Sequence, residues 1–527
     1  MTHFAPSLAL LLVVSACDPD GEAPSPTPGE ELPAPDDDDD TVDDDDAVDD
    51  DDTGIDDDDV ALGDAPPCAG ALVGAVTLLD VATRVVGEVG DDLGAAVEDL
   101  GDSDGNGLRE VAVGAAKAMD SAGAVLVFEG DPAAWDGASP VRRIAGTTSR
   151  LAGFHLAAVG DTDGDGESEL AISAPFPGTL GAPPTVFVHS VASGAGGDLH
   201  AGNNEIQGSP EAEDGGFCPG MFGDHHLLNV AGGKDLDGDG VPDLVVGASG
   251  AVMNDGNGGA YVYSGPLTGL ETPGTADAVL GGVEFCSKTG WQLDSPGDLD
   301  GDGFNDLLIG SWGWEPALYV VRGPVGGSMS LADSGLIYGS SKGHAIGNHS
   351  VSGGTDLTGD GAPDIVVAAS GSGLSDRAAV HVLPGAGSGS VDIHGVGFRL
   401  FAERAGSNSF ALDARGDFNG DGFADLLMGV RDYLDPVIDW PGAVYVQYGP
   451  ITNDHELASA DLMLLGGRSD GRIGEAGERA GWSVAFARDL TGDGIDEIVI
   501  GAPDYDGGPD EGRGAVYVVP GRPCSAE

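Results

Sequence analysis

The chain has 527 residues, with 90 Asp and Glu against 21 Lys and Arg, and a formal net charge of -69. An excess of one sign this large excludes nucleic acid and anionic lipid as partners of the bare chain, because both are polyanions. Its 91 glycines suit a fold with many tight turns.

Residues 1–16 hold a short apolar core, Leu8 to Val14, that cannot span a bilayer and ends in small residues, as an export signal does. The stretch Val14-Ser15-Ala16-Cys17 resembles the bacterial lipobox. That resemblance implies cleavage before Cys17, lipidation of this cysteine, and a protein held in the bacterial cell envelope by its lipid alone. Residues 17–66 are Pro, Glu and Asp with hardly any large apolar side chain, so they cannot bury enough surface to offset the entropy of ordering. They read as a disordered acidic tether, and as a flexible coil the tether would span about 40 Å. With Cys17 lipidated, four cysteines remain in an oxidising compartment. Cys68 and Cys524 bracket the rest of the chain and are expected to pair, as are Cys218 and Cys286, which precede neighbouring repeats at similar offsets.

Residues 67–527 repeat one pattern seven times. Its fullest copy runs from Asp161 to Glu169, with Asp163, Asp165 and the Glu167 carbonyl between them. Oxygens at positions one, three, five, seven and nine of a tight loop suit calcium, which takes ~6 to 8 oxygen ligands. An EF-hand is excluded, since its twelfth position would be Ile172, inside the apolar run Leu170 to Ala174. The same positions hold Asp235, Asp237, Asp239, Val241 and Asp243 in one copy, and Asp298, Asp300, Asp302, Phe304 and Asp306 in another. One carboxylate gives way to an amide in Asp102, Asp104, Asn106, Leu108 and Glu110, and in Asp417, Asn419, Asp421, Phe423 and Asp425. A hydroxyl stands at position three in Asp356, Thr358, Asp360, Ala362 and Asp364, and in Asp489, Thr491, Asp493, Ile495 and Glu497. Affinity is expected to fall as carboxylates are lost, so the copies at Asp161, Asp235 and Asp298 should bind best.

Short alternating runs divided by Gly, Pro and Asp surround every loop, and no helix-period segment of useful length intervenes. The second repeat reads as strands at Phe154 to Ala158, Leu170 to Ala174, Thr185 to Val188 and near Glu205-Ile206. Seven four-stranded antiparallel meanders describe an all-β, seven-bladed β-propeller. The seventh repeat ends directly after its third strand, Ala515 to Val519. Its fourth is expected from the front of the chain, at Thr83 to Val86, which closes the ring and removes two exposed edges.

Phe or Trp with Gly before the first strand, Asp-x-Asp-x-Asp-Gly in the loop, and Gly501-Ala502-Pro503 after the second strand resemble the FG-GAP repeats of the integrin α-subunit head. The resemblance covers about residues 71–521. A meander puts the cation loops on one face and the loops between strands two and three on the other. Trp312, Trp314, Arg431, Tyr433, Trp440 and Tyr505 on that second face are candidate contacts for a protein or glycan ligand. No Gly-x-Ser-x-Gly string is followed by a helix-period segment, so no strand-to-helix elbow is evident, and His225-His226 lacks a matching ligand cluster. The expected function is therefore a calcium-stabilised binding or adhesion module without catalysis. The alternatives are a propeller accessory to a hydrolase, as in GPI-specific phospholipase D, and a purely structural envelope protein.

Overall fold

The computed structural model describes residues 72–522 apart from 136–139, 147–150, 176–182, 192–196, 200–203, 209–228, 251–257, 284–286, 314–315, 371–376, 404–409, 436–439, 468–476 and 506–511. The signal, the tether, all five cysteines, His225-His226 and Trp314 lie outside the described residues.

Seven sheets follow one another along the chain, each a meander built around one cation loop. Blade 2 is representative. Leu156–Gly160 leads into the loop, then Glu169–Ala174, Thr185–Ser190 and Asn204–Gln207 run antiparallel in turn. The second strand is the buried one: Glu110–Ala115, Glu169–Ala174, Asp306–Ser311, Asp425–Val430 and Glu497–Ala502 are buried at every position. A strand covered on both faces needs a continuous apolar run instead of alternation, and these sequences supply one. The charged exception is the first residue of each, which is position nine of the preceding loop; the buried hydroxyls of Ser173 and Ser311 are the other polar groups. Packing therefore fixes one carboxylate at the base of every cation loop.

Blades stack face to face, and an apolar core fills each junction. Ile144 and Val125 of blade 1 meet Leu170 and Phe187 of blade 2, and equivalent cores join blades 2 and 3, 3 and 4, 4 and 5, 5 and 6, and 6 and 7. Another core joins blade 7 to blade 1 through Val499, Val516 and Val518 against Val111, Val113 and Leu126. The ring is closed. Each fully buried Val, Leu or Ile in these cores contributes roughly 1.5–3 kcal/mol. Close approach of the blades depends on glycine at the junctions: Gly481, with φ +85°, sits where a Cβ would lie 2.8 Å from the Ala443 carbonyl oxygen, and a Cβ on Gly429 would lie 2.4 Å from that of Gly481.

Closure is made by the strand expected from the sequence. Thr83–Val86 pairs antiparallel with the third strand of blade 7, from Thr83 against Val518 to Val86 against Ala515. Six of the seven sheets also carry a fifth strand that the four-stranded reading lacks. It is short and parallel, and it comes from the next blade's connection between strands three and four, as when Leu270–Glu271 of blade 3 pairs with Asn204–Gln207. In blade 6 the fifth strand is Gly74–Thr77, aligned with Leu462 to Leu465. A helical turn, Leu78–Val81, buries Leu78 and leads into the closing strand. In blades 4, 5 and 6 the same order of edge strand, turn and fourth strand occurs within one connection, with Leu331, Ile393 and Leu457 as the buried residue. The N-terminal segment thus supplies a whole connection to blade 7, not one strand alone.

Candidate metal sites and the opposite face

All seven loops share one hydrogen-bonded frame. Asp161 at position one accepts from the Gly164 N–H at 2.7 Å and the Gly166 N–H at 3.0 Å, and Asp163 accepts from the Asp165 N–H at 3.2 Å. At position seven the backbone N–H is pinned to the side chain at position five: Leu108 to Asn106, Glu167 to Asp165, Val241 to Asp239, Phe304 to Asp302, Ala362 to Asp360, Phe423 to Asp421 and Ile495 to Asp493, at 2.7 to 3.0 Å. Gly164 and Gly166 take φ of +79° and +93°, which lets the loop turn back on itself. Each acidic side chain is thereby aimed inward before any ligand arrives.

Among the described residues, three carboxylates come within 4.8 Å of one another in four loops: Asp102, Asp104 and Glu110; Asp161, Asp163 and Glu169; Asp235, Asp237 and Asp239; Asp298, Asp300 and Asp302. The loops at Asp356, Asp417 and Asp489 do not form such a group, and their position three is Thr358, Asn419 or Thr491. Asn419 donates to Asp421 at 2.9 Å and the Thr491 hydroxyl to Glu497 at 2.8 Å.

The loops differ in how the oxygens of position nine are used. In blade 2 one oxygen of Glu169 accepts from the Thr162 N–H at 2.7 Å and its hydroxyl at 3.0 Å, while the other, Oε1, is buried without a hydrogen-bond partner. Glu110 in blade 1 repeats this: Ser103 holds Oε2 at 2.7 and 2.6 Å, and Oε1 is left over. Glu497 in blade 7 uses both oxygens, on the Leu490 N–H and the Thr491 hydroxyl, and Asp364 in blade 5 takes the Leu357 and Thr358 N–H groups through one oxygen. In the other three blades both oxygens of the position-nine Asp are used by the backbone. Asp243 accepts from Leu236 and Gly265, Asp306 from Leu299 and Gly323, and Asp425 from Phe418 and Gly449. An Asp at position nine in these three blades therefore ties the loop to the backbone through both oxygens.

Burial next to like charges makes these acids hard to ionise. Burial, reinforced by Asp163 and Asp165, pushes Glu169 up to about 7, and Glu497 is likewise pushed up to about 7. Burial raises Asp243 and Asp364 to about 6 and Asp425 to about 8. Unpaired carboxylate oxygens in such a setting fit a hard divalent cation. Two loops contain a cation of the protein's own. The Arg142 guanidinium lies 2.9 Å from Asp104 with both side chains buried, and Arg322 reaches Asp300 at 3.3 Å and Asp306 at 2.7 Å.

The five candidate residues of the other face that are described differ in their surroundings. Trp440 is 39% exposed and faces Arg479 at 6.0 Å. Trp312 lies under the Lys288 ammonium at 3.7 Å and edge-on to Trp291. Arg431 stacks on Trp482 of the next blade at 4.1 Å, and Tyr433 packs against Tyr445. Tyr505 is not a surface residue: it is 8% exposed within the core between blades 6 and 7, with Arg84 over its ring at 4.9 Å. Its flanking aspartates suggested exposure, but the closing strand covers the ring.

Comparison with known proteins agrees with this geometry. The FG-GAP repeat family matches residues 228–263 and 480–519, which hold the loop and neighbouring strands of blades 3 and 7. Integrin alpha-5 of Xenopus laevis is 38% identical over 151 residues, covering 26% of this chain and 14% of that protein. Integrin alpha-7 of Rattus norvegicus is 30% identical over 255 residues, 46% of this chain and 20% of that protein. The chain is an integrin-α-head-like FG-GAP propeller. Integrin alpha-PS2 of Drosophila melanogaster is 28% identical over 240 residues, 43% of this chain and 16% of that protein. The matched region thus spans a fifth or less of these relatives.

Proposed function

We propose that this FG-GAP propeller is a calcium-stabilised binding or adhesion module, exported and lipid-anchored through Cys17 at the cell envelope, with no catalytic activity. The observation that carries the reading is the blade 2 loop. Asp161, Asp163 and Glu169 converge there, and a buried Glu169 oxygen has no partner within the protein. Bound calcium would supply the positive charge that lets these acids ionise while buried. The protein's own contribution is the preset loop, which holds the carboxylates in place and ties adjacent strands together at their base. Ligand recognition is assigned to the face opposite the loops, where Trp312, Arg431, Tyr433 and Trp440 remain as contacts for a protein or glycan.

Two results test the parts separately. Asp237→Ala should remove part of the calcium-dependent rise in melting temperature, whereas Thr358→Ala, which deletes no charge, should leave most of it. Equal behaviour of the two variants would count against the calcium reading. Cys17→Ser should move the protein from the detergent-soluble membrane fraction to the soluble fraction, because a tether this polar has no other affinity for lipid. Retention in the membrane fraction would remove the lipoprotein assignment. Binding is tested by a pull-down with the mature chain, with and without Trp440→Ala. Failure to retain any protein or glycan would leave a purely structural role.

A further inference from the structure

The loops of blades 3 and 4 have the same four acids, yet their surroundings differ. The residue after strand three is Ser264 in blade 3, Arg322 in blade 4 and Tyr448 in blade 6, each followed by Gly-Pro. In all three blades that glycine's N–H holds the position-nine Asp. Only Arg322 then enters the loop. Its guanidinium lies 3.3 Å from Asp300 at position three and 2.7 Å from Asp306 at position nine, and it donates to the Gly385 carbonyl of blade 5 at 2.6 Å. With the Leu299 and Gly323 N–H groups also bound, both oxygens of Asp306 are engaged.

A second difference explains why the arginine points inward. Asp277 in blade 3 and Asp461 in blade 6 directly precede strand four and accept from the N–H of Ser264 and Tyr448, each at 2.9 Å. Blade 4 has Gly335 in that register, opposite Val321. No carboxylate there competes for Arg322. Gly335 has φ +93°, a backbone conformation that an Asp in that register would adopt only with strain.

We propose that Arg322 is the resident cation of the blade 4 loop, replacing divalent calcium, so that this loop is held together without metal while blade 3, with identical acids, depends on it. The inference rests on the calcium reading above. A planar guanidinium forms two directed bonds to carboxylates and cannot be deprotonated at neutral pH, so it offsets the loop charge permanently and bars a second cation. Among the loops with four carboxylates, the FG-GAP propeller therefore has one that calcium does not control.

The test counts calcium bound per mature chain by equilibrium dialysis, and follows melting in chelator and in excess calcium. Arg322→Ser should bind one more calcium than wild type, and its melting temperature should fall in chelator and recover in calcium. The converse variant is Ser264→Arg with Asp277→Gly, which removes the carboxylate that would capture the new arginine. It should bind one calcium fewer and lose part of its calcium-dependent stabilisation. Unchanged stoichiometry in Arg322→Ser, with the same melting loss in both conditions, would make Arg322 an ordinary ion pair and overturn the proposal. If Arg322→Ser does not fold even in calcium, the converse variant decides, and an unchanged count there overturns it too. Absence of bound calcium in wild type and both variants would instead defeat the calcium reading itself.

Discussion

Chelation of calcium from the mature chain should lower its melting temperature by on the order of 10 °C or more, and the loss should grow as pH rises from 5 to 7.5. Each filled site stabilises by about 2.7 kcal/mol at a free concentration a hundred times the dissociation constant, so three filled loops supply about 8 kcal/mol. A large domain gains roughly 2 °C per kcal/mol. The pH dependence follows from the raised acids. Glu169 and Glu497 are held up to about 7 and Asp243 to about 6, against 4.5 and 3.8 when unfolded. Without metal, the folded state therefore binds these protons more tightly than the unfolded chain. Stability from this source is full below the unfolded values and is lost as pH rises through 6 to 7. With calcium bound the ionised form is favoured and the trend should vanish or reverse. Calorimetry across that pH range, in chelator and in excess calcium, checks both halves. A melting temperature in chelator that does not change with pH would show that the loop acids are not the source of the effect.

Deleting residues 72–86 should abolish cooperative unfolding altogether. That segment supplies the parallel edge of blade 6, the fourth strand of blade 7 and the buried Leu78, which sits in the core shared by those blades. Val85 is also lost, from the core between blades 7 and 1. Without the segment the third strand of blade 7 becomes an unprotected edge, prone to pairing with other chains. A milder probe is Leu78→Ala, expected to cost about 2–5 kcal/mol. A synthetic peptide of residues 72–87 added to the truncated chain should restore a sharp transition. A truncated chain that melts as sharply and at the same temperature as the intact one would show that closure lies elsewhere.

Much of this was readable in the sequence because the constraints are local. Cation ligands must recur at fixed spacing, so all seven loops stand out, and a doubly covered strand must be apolar throughout, so Leu170 to Ala174 or Ile498 to Ile500 are plain. The closing strand at Thr83 to Val86 followed from counting strands. What escaped depends on register across strands. A parallel edge as short as Leu270–Glu271 has no periodicity to detect. The inward turn of Arg322 requires knowing that Gly335 faces it, and the burial of Tyr505 requires knowing that Arg84, from the far end of the chain, lies over the ring. The free oxygen on Glu169 and its absence on Asp243 depend on which N–H and hydroxyl donors lie beside position nine, which a ligand pattern read along the chain does not show.

Ring closure by the N-terminal segment also fixes how the molecule carries mechanical force. A pull applied through the chain preceding Leu72 enters at Gly74–Thr77 and reaches Thr83–Val86 next, so it loads two hydrogen-bonded ladders, one parallel and one antiparallel, on two different blades. The Tyr448 hydroxyl, bonded to the Leu72 carbonyl, is the first contact to bear it. Rupture therefore begins at the seam, and the five blades that borrow no strand from the N-terminus keep all their strands until the seam has given way.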